Sequence, residues 1–389
     1  MDPRRIRPGR GNASQFVQPL LNTLNTMRGA ERLRPDQLNA RAEQLLWDQL
    51  GTEGGAAETA YAHGAVDLVA EHTRYFDGFA LLVPVHEGCS VAVRAGTHAS
   101  HRVALEVTDP ALEALLLELI GLVAGESRVD LAVSCNLPGF LPEARRAPAL
   151  VAAARALSAL FSRETDGMDW LADLKGPDRF TRSARIMACS RTAVSSFVLA
   201  DTREKESIAL EVPPMERPAL ALLAPPEAGA MVRGDNRKLT REATRALQEA
   251  AMPGIQSIRD VEHRDLRRAL ESIDRKLRPL VTYLVTENGR VQRLVAAIQR
   301  RDWQMFGALL LMSHSSKRQD LGLEDAEVDA IVEDVENMSL DGMYGATRLN
   351  ADSRAILVAG QQFSVPPALE KLTASFAERT DSTLSTIYL

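Results

Sequence analysis

The sequence has 389 residues, of which 45% are hydrophobic and 25% are charged, and its formal net charge is −6. This length suits two domains of ordinary size, and the composition is typical of a soluble globular protein. The negative net charge excludes a global electrostatic attraction to nucleic acid or to an anionic membrane surface. We therefore expect neither as a partner, and any cationic binding site has to be local.

Targeting and metal-binding signals are missing from the sequence. It has no run of about 18 apolar residues that would span a bilayer, and its basic N-terminus leads into a polar stretch, so we expect a cytoplasmic protein. Cys89, Cys135 and Cys189 lie far apart in sequence, which favours reduced thiols over a disulfide framework. The histidines show no metal-ligand spacing, so we predict no metal site.

The first half of the chain mixes helical and strand patterns. Residues 1–56 form an N-terminal extension in which apolar spacing predicts helices at 16–28 and 35–50. Helical spacing returns at 111–124 and 147–161, and the second of these is so rich in alanine and leucine that we expect it to be buried. Alternating apolar residues predict strands at 63–69, 79–85, 90–95, 102–107, 129–135, 193–200 and 207–212.

The second half is predicted to be mostly helical. Five prolines between residues 213 and 226 suggest a domain boundary near residue 214. Beyond it, helices are predicted at 239–251, 264–277, 289–301, 303–314, 325–337 and 367–379, with a strand at 355–359. The predicted fold class is α+β, with domains at 57–214 and 215–389 and a ligand cleft between two lobes.

Residues 63–78 read H-G-A-V-D-L-V-A-E-H-T-R-Y-F-D-G and resemble, without a gap, the galactokinase signature P-G-R-V-N-L-I-G-E-H-T-D-Y-N-x-G. Further similarities follow in the family's order at 183–190, 201–203, 235–238, 257–261, 285–288, 306–316 and 343–346. The chain is identified as a member of the galactokinase family of GHMP small-molecule kinases. This resemblance implies the two-lobed GHMP kinase fold, with mixed sheets and helices.

The phosphate-binding loop of the family departs furthest from its pattern. The family has Gly-x-Gly-Leu-Ser-Ser-Ser-Ala, in which glycines let the backbone approach phosphate at a helix N-terminus. Residues 137–150 read L-P-G-F-L-P-E-A-R-R-A-P-A-L, with Phe140 and Pro142 at the glycines and residues 144–146 at the serines. Glu143 would repel a triphosphate. We expect no MgATP binding in the family manner and no other cofactor.

The catalytic positions implied by the resemblance are also changed. The family's aspartate in I-M-D-Q falls at Ala188, and the signature arginine that supports it falls at Ala65. Neither alanine can accept a proton. The glycine-rich G-G-G-F-G-G turn is N-A-D-S-R-A at residues 350–355. We therefore predict a degenerate, pseudokinase-like member of the family.

The resemblance supplies candidate ligand-binding positions. Those for substrate are Glu71, His72, Arg74, Asp77, Arg185 and Asp235, of which Arg74, Arg185 and Asp235 depart from the family's residues. Arginines also occur on other segments that converge on the cleft in this fold, and we take them as candidate anion-binding residues: Arg145, Arg146, Arg348 and Arg354. They suggest a cationic hollow for a phosphate or carboxylate. The alternative is drift toward arginine in loops freed from nucleotide binding.

Three residues are candidates for catalysis. Glu71 and His72 form an acid/base pair in one interpretation and a hydrogen-bonded turn anchor in the other. Cys189 is either a nucleophile or an inert buried thiol.

Three functions follow. The first is a galactokinase-like protein without ATP-dependent kinase activity that binds an anionic sugar-like metabolite or a protein partner. The second is a scaffold repurposed for non-kinase chemistry on an anionic sugar or cyclitol. The third is a divergent ATP-dependent sugar kinase that uses Glu71, Asp77 or Asp235 as base. The sequence leaves the ligand, the oligomeric state and the role of residues 1–56 open.

Overall fold

The computed structural model describes residues 33–73, 76–163, 167–175, 179–191, 196–226, 236–350 and 353–389. The candidate residues Arg74 and Asp235 and the helix predicted at 16–28 lie outside the described residues. The helix predicted at 35–50 is confirmed as α1, Pro35–Leu50.

The first half contains a mixed sheet of six strands. They are β1 Glu58–Val69, β2 Phe79–Ala95, β3 Arg102–Leu105, β4 Val129–Cys135, β5 Ser196–Asp201 and β6 Glu206–Glu211. The long strand β2 pairs antiparallel with three strands, β1, β4 and β5. The two strands predicted at 79–85 and 90–95 are therefore one strand, because pairing with β1 is present on both sides of an irregularity between Pro84 and Gly88.

Helices cover this sheet. They are α2 Pro110–Val123, α3 Arg146–Leu160, α4 Met168–Asp173 and α5 Arg179–Cys189. Helix α3 packs on β1 and β2 and is buried along nearly all of its length, as predicted from its alanine-rich sequence. Small side chains let the helix lie close to the strands, so its N-terminus is held at one end of the sheet.

The second half has an antiparallel sheet of four strands, β7 Ala219–Ala224, β8 Met343–Arg348, β9 Ile356–Gly360 and β10 Ser385–Tyr388. Their order in the sheet is β10-β7-β9-β8. Its helices are α6 Asn236–Ala250, α7 Leu266–Glu271, α8 Arg278–Arg300, α9 Trp303–Leu321, α10 Ala326–Asn337 and α11 Val365–Thr380. The single helix predicted at 264–277 is wrong, because α7 ends at Glu271 and Asp274 caps a separate 3-10 turn, Arg275–Leu277.

The two halves share one large hydrophobic cluster. It combines β1, β2 and α3 with α8, α9 and the second sheet. The predicted fold class, α+β, is confirmed. The boundary near residue 214 stays a prediction, although the second sheet begins with β7 shortly after it. Within the described ranges, no helix combines the length and the apolar composition needed to cross a membrane.

Candidate functional site

Four segments that are distant in sequence meet at one end of the first sheet. They enclose a cavity of about 20 Å³. Its lining includes Ala65, Asp67, Glu143, Arg185, Asn350 and Ser353. The cavity therefore lies between β1, the turn before α3, helix α5 and the segment that joins β8 to β9.

An ion pair forms one side of this cavity. The Arg185 Nη2 and Nε atoms lie 2.8 and 3.2 Å from Oδ2 of Asp67, and both side chains are buried. The Nη1 atom of Arg185 donates to the carbonyl of Glu143 at 3.0 Å. A guanidinium suits such a site because its planar fork serves several acceptors at once. Asp67 therefore compensates the charge of Arg185.

Arg146 is also held by carboxylates, at the start of α3. Its Nε and Nη2 atoms contact Oδ2 and Oδ1 of Asp109 at 2.8 and 3.1 Å, and Nη1 contacts Glu143 Oε2 at 3.3 Å. Asp109 also caps α2 by accepting from the backbone N–H of Ala111 and Leu112. Partial burial favours a higher pKa for the Asp109 carboxyl. The hydrogen bonds from Arg146 and these amides outweigh this effect, so the pKa of Asp109 is lowered.

The two arginines near the second sheet have different environments. Arg354 pairs with Asp325 at 2.7 and 2.8 Å and with Glu327 at 2.7 Å. Arg348 is 1% exposed, and its Nε donates to the carbonyls of Asn350 and Ser353 at 3.1 and 3.0 Å. Both side chains thus hold the chain together around the segment after β8.

Arg145 differs from the other candidate arginines in its neighbours. Its Nη2 lies 3.5 Å from the carbonyl of Pro138. Its guanidinium acts electrostatically on the thiols of Cys89 and Cys135.

The two alanines that the sequence resemblance aligns with the family's catalytic residues are buried. Ala65 and Ala188 are both 0% exposed. Cys189 follows Ala188 and is equally buried, and burial raises the pKa of its thiol. Raising the thiol pKa disfavours the thiolate, which is the nucleophilic form. The geometry of Cys189 is that of an inert buried thiol.

Glu71 and His72 lie in the turn after β1. His72 has a left-handed backbone, with φ of 61°, and its Nε2 lies 3.3 Å from Glu71 Oε1 and 3.0 Å from Asn236 Nδ2. The hydroxyl of Tyr283 donates to the Glu71 carbonyl at 3.1 Å. These contacts tie the turn to α6 and α8, which favours the role of a turn anchor.

Asp77 is on the other side of the same turn. It also has a positive φ, 62°, and its side chain lies 3.8 Å from Arg203 Nε. Arg203 pairs more closely with Asp260, at 2.8 Å, and Asp201 pairs with Arg259 at 2.6 Å. Asp201 and Arg203 therefore bridge β5 to the segment that follows α6.

Comparisons with known proteins give a consistent result. Protein-family models yield no match. The chain is 38% identical to galactokinase of Streptomyces coelicolor over 86 residues, which is 22% of this chain and 22% of that relative. It is 25% identical to galactokinase of Roseiflexus sp. over 357 residues, which is 84% of this chain and 89% of that relative.

Solved structures agree on the fold. The crystal structure of Lactococcus lactis galactokinase complexed with galactose matches with a TM-score of 0.76 at 17% identity, over 90% of this chain and 97% of that one. Mevalonate kinase from Staphylococcus aureus matches with a TM-score of 0.51 at 11% identity, over 85% of this chain and 98% of that one. The chain is similar to galactokinases along most of its length, and its fold is that of the GHMP kinases. The two-lobed fold expected from its sequence motifs is the fold of these structures.

Sequence reasoning on this galactokinase-like chain missed the carboxylates that pair with its arginines. Asp67 stands at the asparagine of the signature and lies 118 positions from Arg185, which stands at the glycine before I-M. An acidic and a basic residue both replace uncharged family residues, at positions 67 and 185. This double change was the sequence signal that could have indicated the ion pair. Asp109 gave no such signal, because it lies outside every motif.

Proposed function

We propose that this chain is a galactokinase-like protein that lacks ATP-dependent sugar kinase activity and acts by binding. One observation carries the proposal. The Asp67–Arg185 ion pair lies where β1, helix α5 and the turn before α3 meet, and the cavity beside it has a volume of only about 20 Å³. Pockets for molecules of drug size have about 300–1,000 Å³. The remaining space is close to what one water molecule needs, about 10–15 Å³.

Opening this space for a nucleotide is energetically costly. Arg185 would have to leave Asp67, and separating a buried ion pair exposes an uncompensated charge at a cost of several kcal/mol. Triphosphate would also meet the carboxylate of Glu143, which lines the cavity. The residues at this site therefore do not fit MgATP.

The chemistry of phosphoryl transfer is equally unsupported. A kinase needs a group that positions or deprotonates the attacking hydroxyl. Ala65 and Ala188, which stand at the family's two catalytic positions, provide no such group. Non-kinase chemistry through Cys189 is also disfavoured by the burial of that thiol.

The arginine contacts favour a protein partner over an anionic metabolite. Arg146, Arg185 and Arg354 each lie within hydrogen-bonding distance of a carboxylate. An anionic ligand would have to displace these carboxylates. Arg145, whose Nη2 is 3.5 Å from a carbonyl, is the position at which such a ligand is best tested.

The test combines thermal shift with a coupled assay of ADP formation. The purified chain is titrated with MgATP in the presence of galactose and a panel of other sugars, and then with sugar phosphates and inorganic phosphate. We expect no change in Tm with saturating MgATP, because a ligand raises the Tm only of a folded state that it binds. We also expect no ADP above background, because the proposed function excludes phosphoryl transfer. Lactococcus lactis galactokinase serves as the positive control for the assay.

Arg145→Ala is the matched variant for the anionic ligands. A Tm increase with a sugar phosphate that is absent in Arg145→Ala would indicate that the chain binds an anionic metabolite rather than a protein partner. A saturable Tm increase with MgATP, accompanied by sugar-dependent ADP formation, would overturn the proposal as a whole.

A further inference from the structure

Two of the three cysteines lie directly opposite each other in the first sheet. Cys89 on β2 is the register partner of Cys135 on β4, and their Sγ atoms are 2.9 Å apart. Both are free thiols. Because they are 46 positions apart in sequence, spacing alone gave no indication of this contact.

The pairing pattern suits a covalent bond. The Asn136 N–H donates to the carbonyl of Gly88 at 3.2 Å, whereas the Cys135 N–H donates to the carboxylate of Glu106 at 3.2 Å. Cys89 and Cys135 therefore form a non-hydrogen-bonded pair, in which Cα atoms are about 4.5 Å apart and side chains lie closest. A disulfide needs Cα atoms about 4.4–6.8 Å apart, so the backbone requires little movement.

The two thiols differ in environment. Cys135 is partly exposed, and the hydrogen bond from the Cys89 thiol lowers its pKa, with further contributions from the Leu137 backbone and the Arg145 guanidinium. Cys89 is 0% exposed, and burial raises its pKa. The thiolate is therefore favoured at Cys135, the more accessible of the two.

An open cavity lies beside the end of β4 and the adjacent middle part of β2. It has a volume of about 830 Å³ and lies between the first sheet and α11. Its lining includes Glu87, two residues before Cys89, and Asn136, the residue after Cys135. A small oxidant can therefore approach the pair without unfolding the sheet.

We propose that Cys89 and Cys135 are a site of reversible oxidation, at which a hydroperoxide converts the two thiols into an intramolecular disulfide. This inference is independent of the proposed loss of kinase activity. The disulfide would join β2 to β4 where the chain enters the turn that carries Arg145. Oxidation would thus fix the geometry of the altered phosphate loop.

The reaction proceeds in two balanced steps. The Cys135 thiolate attacks one peroxide oxygen, the O–O bond breaks, and the leaving oxygen takes a proton and departs as water or an alcohol, which leaves a sulfenic acid on Cys135. The Cys89 sulfur then attacks the sulfenic sulfur, the S–O bond breaks, and the hydroxyl leaves as water with the proton of Cys89. Two thiols lose two electrons, and the peroxide gains them. A dithiol reductant reverses the change.

The experiment treats the full chain with increasing hydrogen peroxide. Intact mass is measured after remaining thiols are alkylated, and linked peptides are mapped by mass spectrometry. We expect a species that has lost two hydrogen atoms, has one alkylated thiol, contains a Cys89–Cys135 peptide, and returns to three alkylated thiols with dithiothreitol.

Two variants separate the pair from the third thiol. Cys189→Ser should form the disulfide at the wild-type rate, whereas Cys135→Ser and the less polar Cys135→Ala should not form it. The proposal is overturned if wild-type protein keeps three alkylatable thiols, or if peroxide converts Cys135 only to sulfinic or sulfonic acid. Linkage through Cys189 would overturn it as well.

Discussion

Three arginines around the cleft, at positions where the sequence departs from the family pattern, lie against carboxylates. Arg185 contacts Asp67, Arg146 contacts Asp109 and Glu143, and Arg354 contacts Asp325 and Glu327. A buried arginine without a partner costs several kcal/mol, so each charge needs a nearby acid if the fold is to remain stable. The pairs compensate the charges of these three arginines within the fold.

Asp109 gives a prediction at the level of one residue. Asp109→Asn keeps a side-chain oxygen that can cap α2 but removes the charge that faces Arg146. Because the pKa of Asp109 is lowered in the folded state, the ion pair contributes in full above the ordinary aspartate pKa of about 3.9, and the contribution is lost as the pH falls through the lowered folded value. We expect the substitution to lower the free energy of unfolding by about 1 kcal/mol at pH 7.

Urea unfolding at several pH values between about 2 and 7 measures this effect. The difference between wild type and Asp109→Asn should begin to shrink below about pH 4, where Asp109 of the unfolded chain takes up a proton, and should be lost once the folded carboxylate is protonated as well. Glu113→Gln, at an exposed position in the same helix, is the control and should change little. A difference that stays constant over the whole pH range would show that Asp109 acts through its cap alone.

The sequence predicted part of the site and missed its electrostatic partners. Ala65 and Ala188 were found because they fall at fixed positions of family motifs, and the structure shows both as buried. Asp67 and Arg185 were not predicted to pair, because their contact depends on how β1 and α5 pack across 118 positions of sequence. Periodicity reports which side of an element is buried but not which polar side chains meet there.

At the scale of elements, helices were predicted better than strands of the second sheet. Helices α9 and α10 begin within one residue of the expected positions, because both have clear apolar periods and an aspartate before the first turn. Strands β8 and β10 were missed, since each is short and mixes polar with apolar residues. Tertiary pairing with β9 and β7 stabilises them instead.

The contact between α9 and β8 depends on a glycine. A Cβ atom at Gly307 would overlap the carbonyl of Tyr344, which belongs to β8. We expect Gly307→Ala to force the helix and strand apart and to lower the free energy of unfolding by about 1–3 kcal/mol. Urea denaturation measures the loss.

Gly289 in α8 is the matched control, because a Cβ atom there would meet no neighbouring atom within 4 Å. Gly289→Ala should raise stability by up to about 1 kcal/mol, since alanine is the better helix former. If both substitutions change the free energy of unfolding in the same direction and by a similar amount, then the close approach of α9 to β8 does not exclude a Cβ atom at position 307.

At the scale of the whole molecule, the two halves share an apolar core in addition to the polar contacts between them. Val291 and Leu294 of α8 belong to the same buried cluster as the strands β1 and β2. Trp303 of α9 stacks on Phe197 of β5, with ring centroids 6.3 Å apart. A shared apolar cluster favours a fixed arrangement of the halves, which agrees with a site that keeps about 20 Å³ of space.

This shared core predicts joint unfolding. Leu294 is 0% exposed, so Leu294→Ala should cost about 2–5 kcal/mol through lost burial and a new cavity. Because the cluster includes both halves, the substitution should lower the urea midpoints measured by far-UV circular dichroism and by tryptophan fluorescence to the same extent. Leu122→Ala, at a side chain that is 50% exposed on α2, should leave both midpoints nearly unchanged. Two separate transitions, of which Leu294→Ala shifts only one, would show instead that the halves unfold independently and that the core between them contributes little to cooperativity.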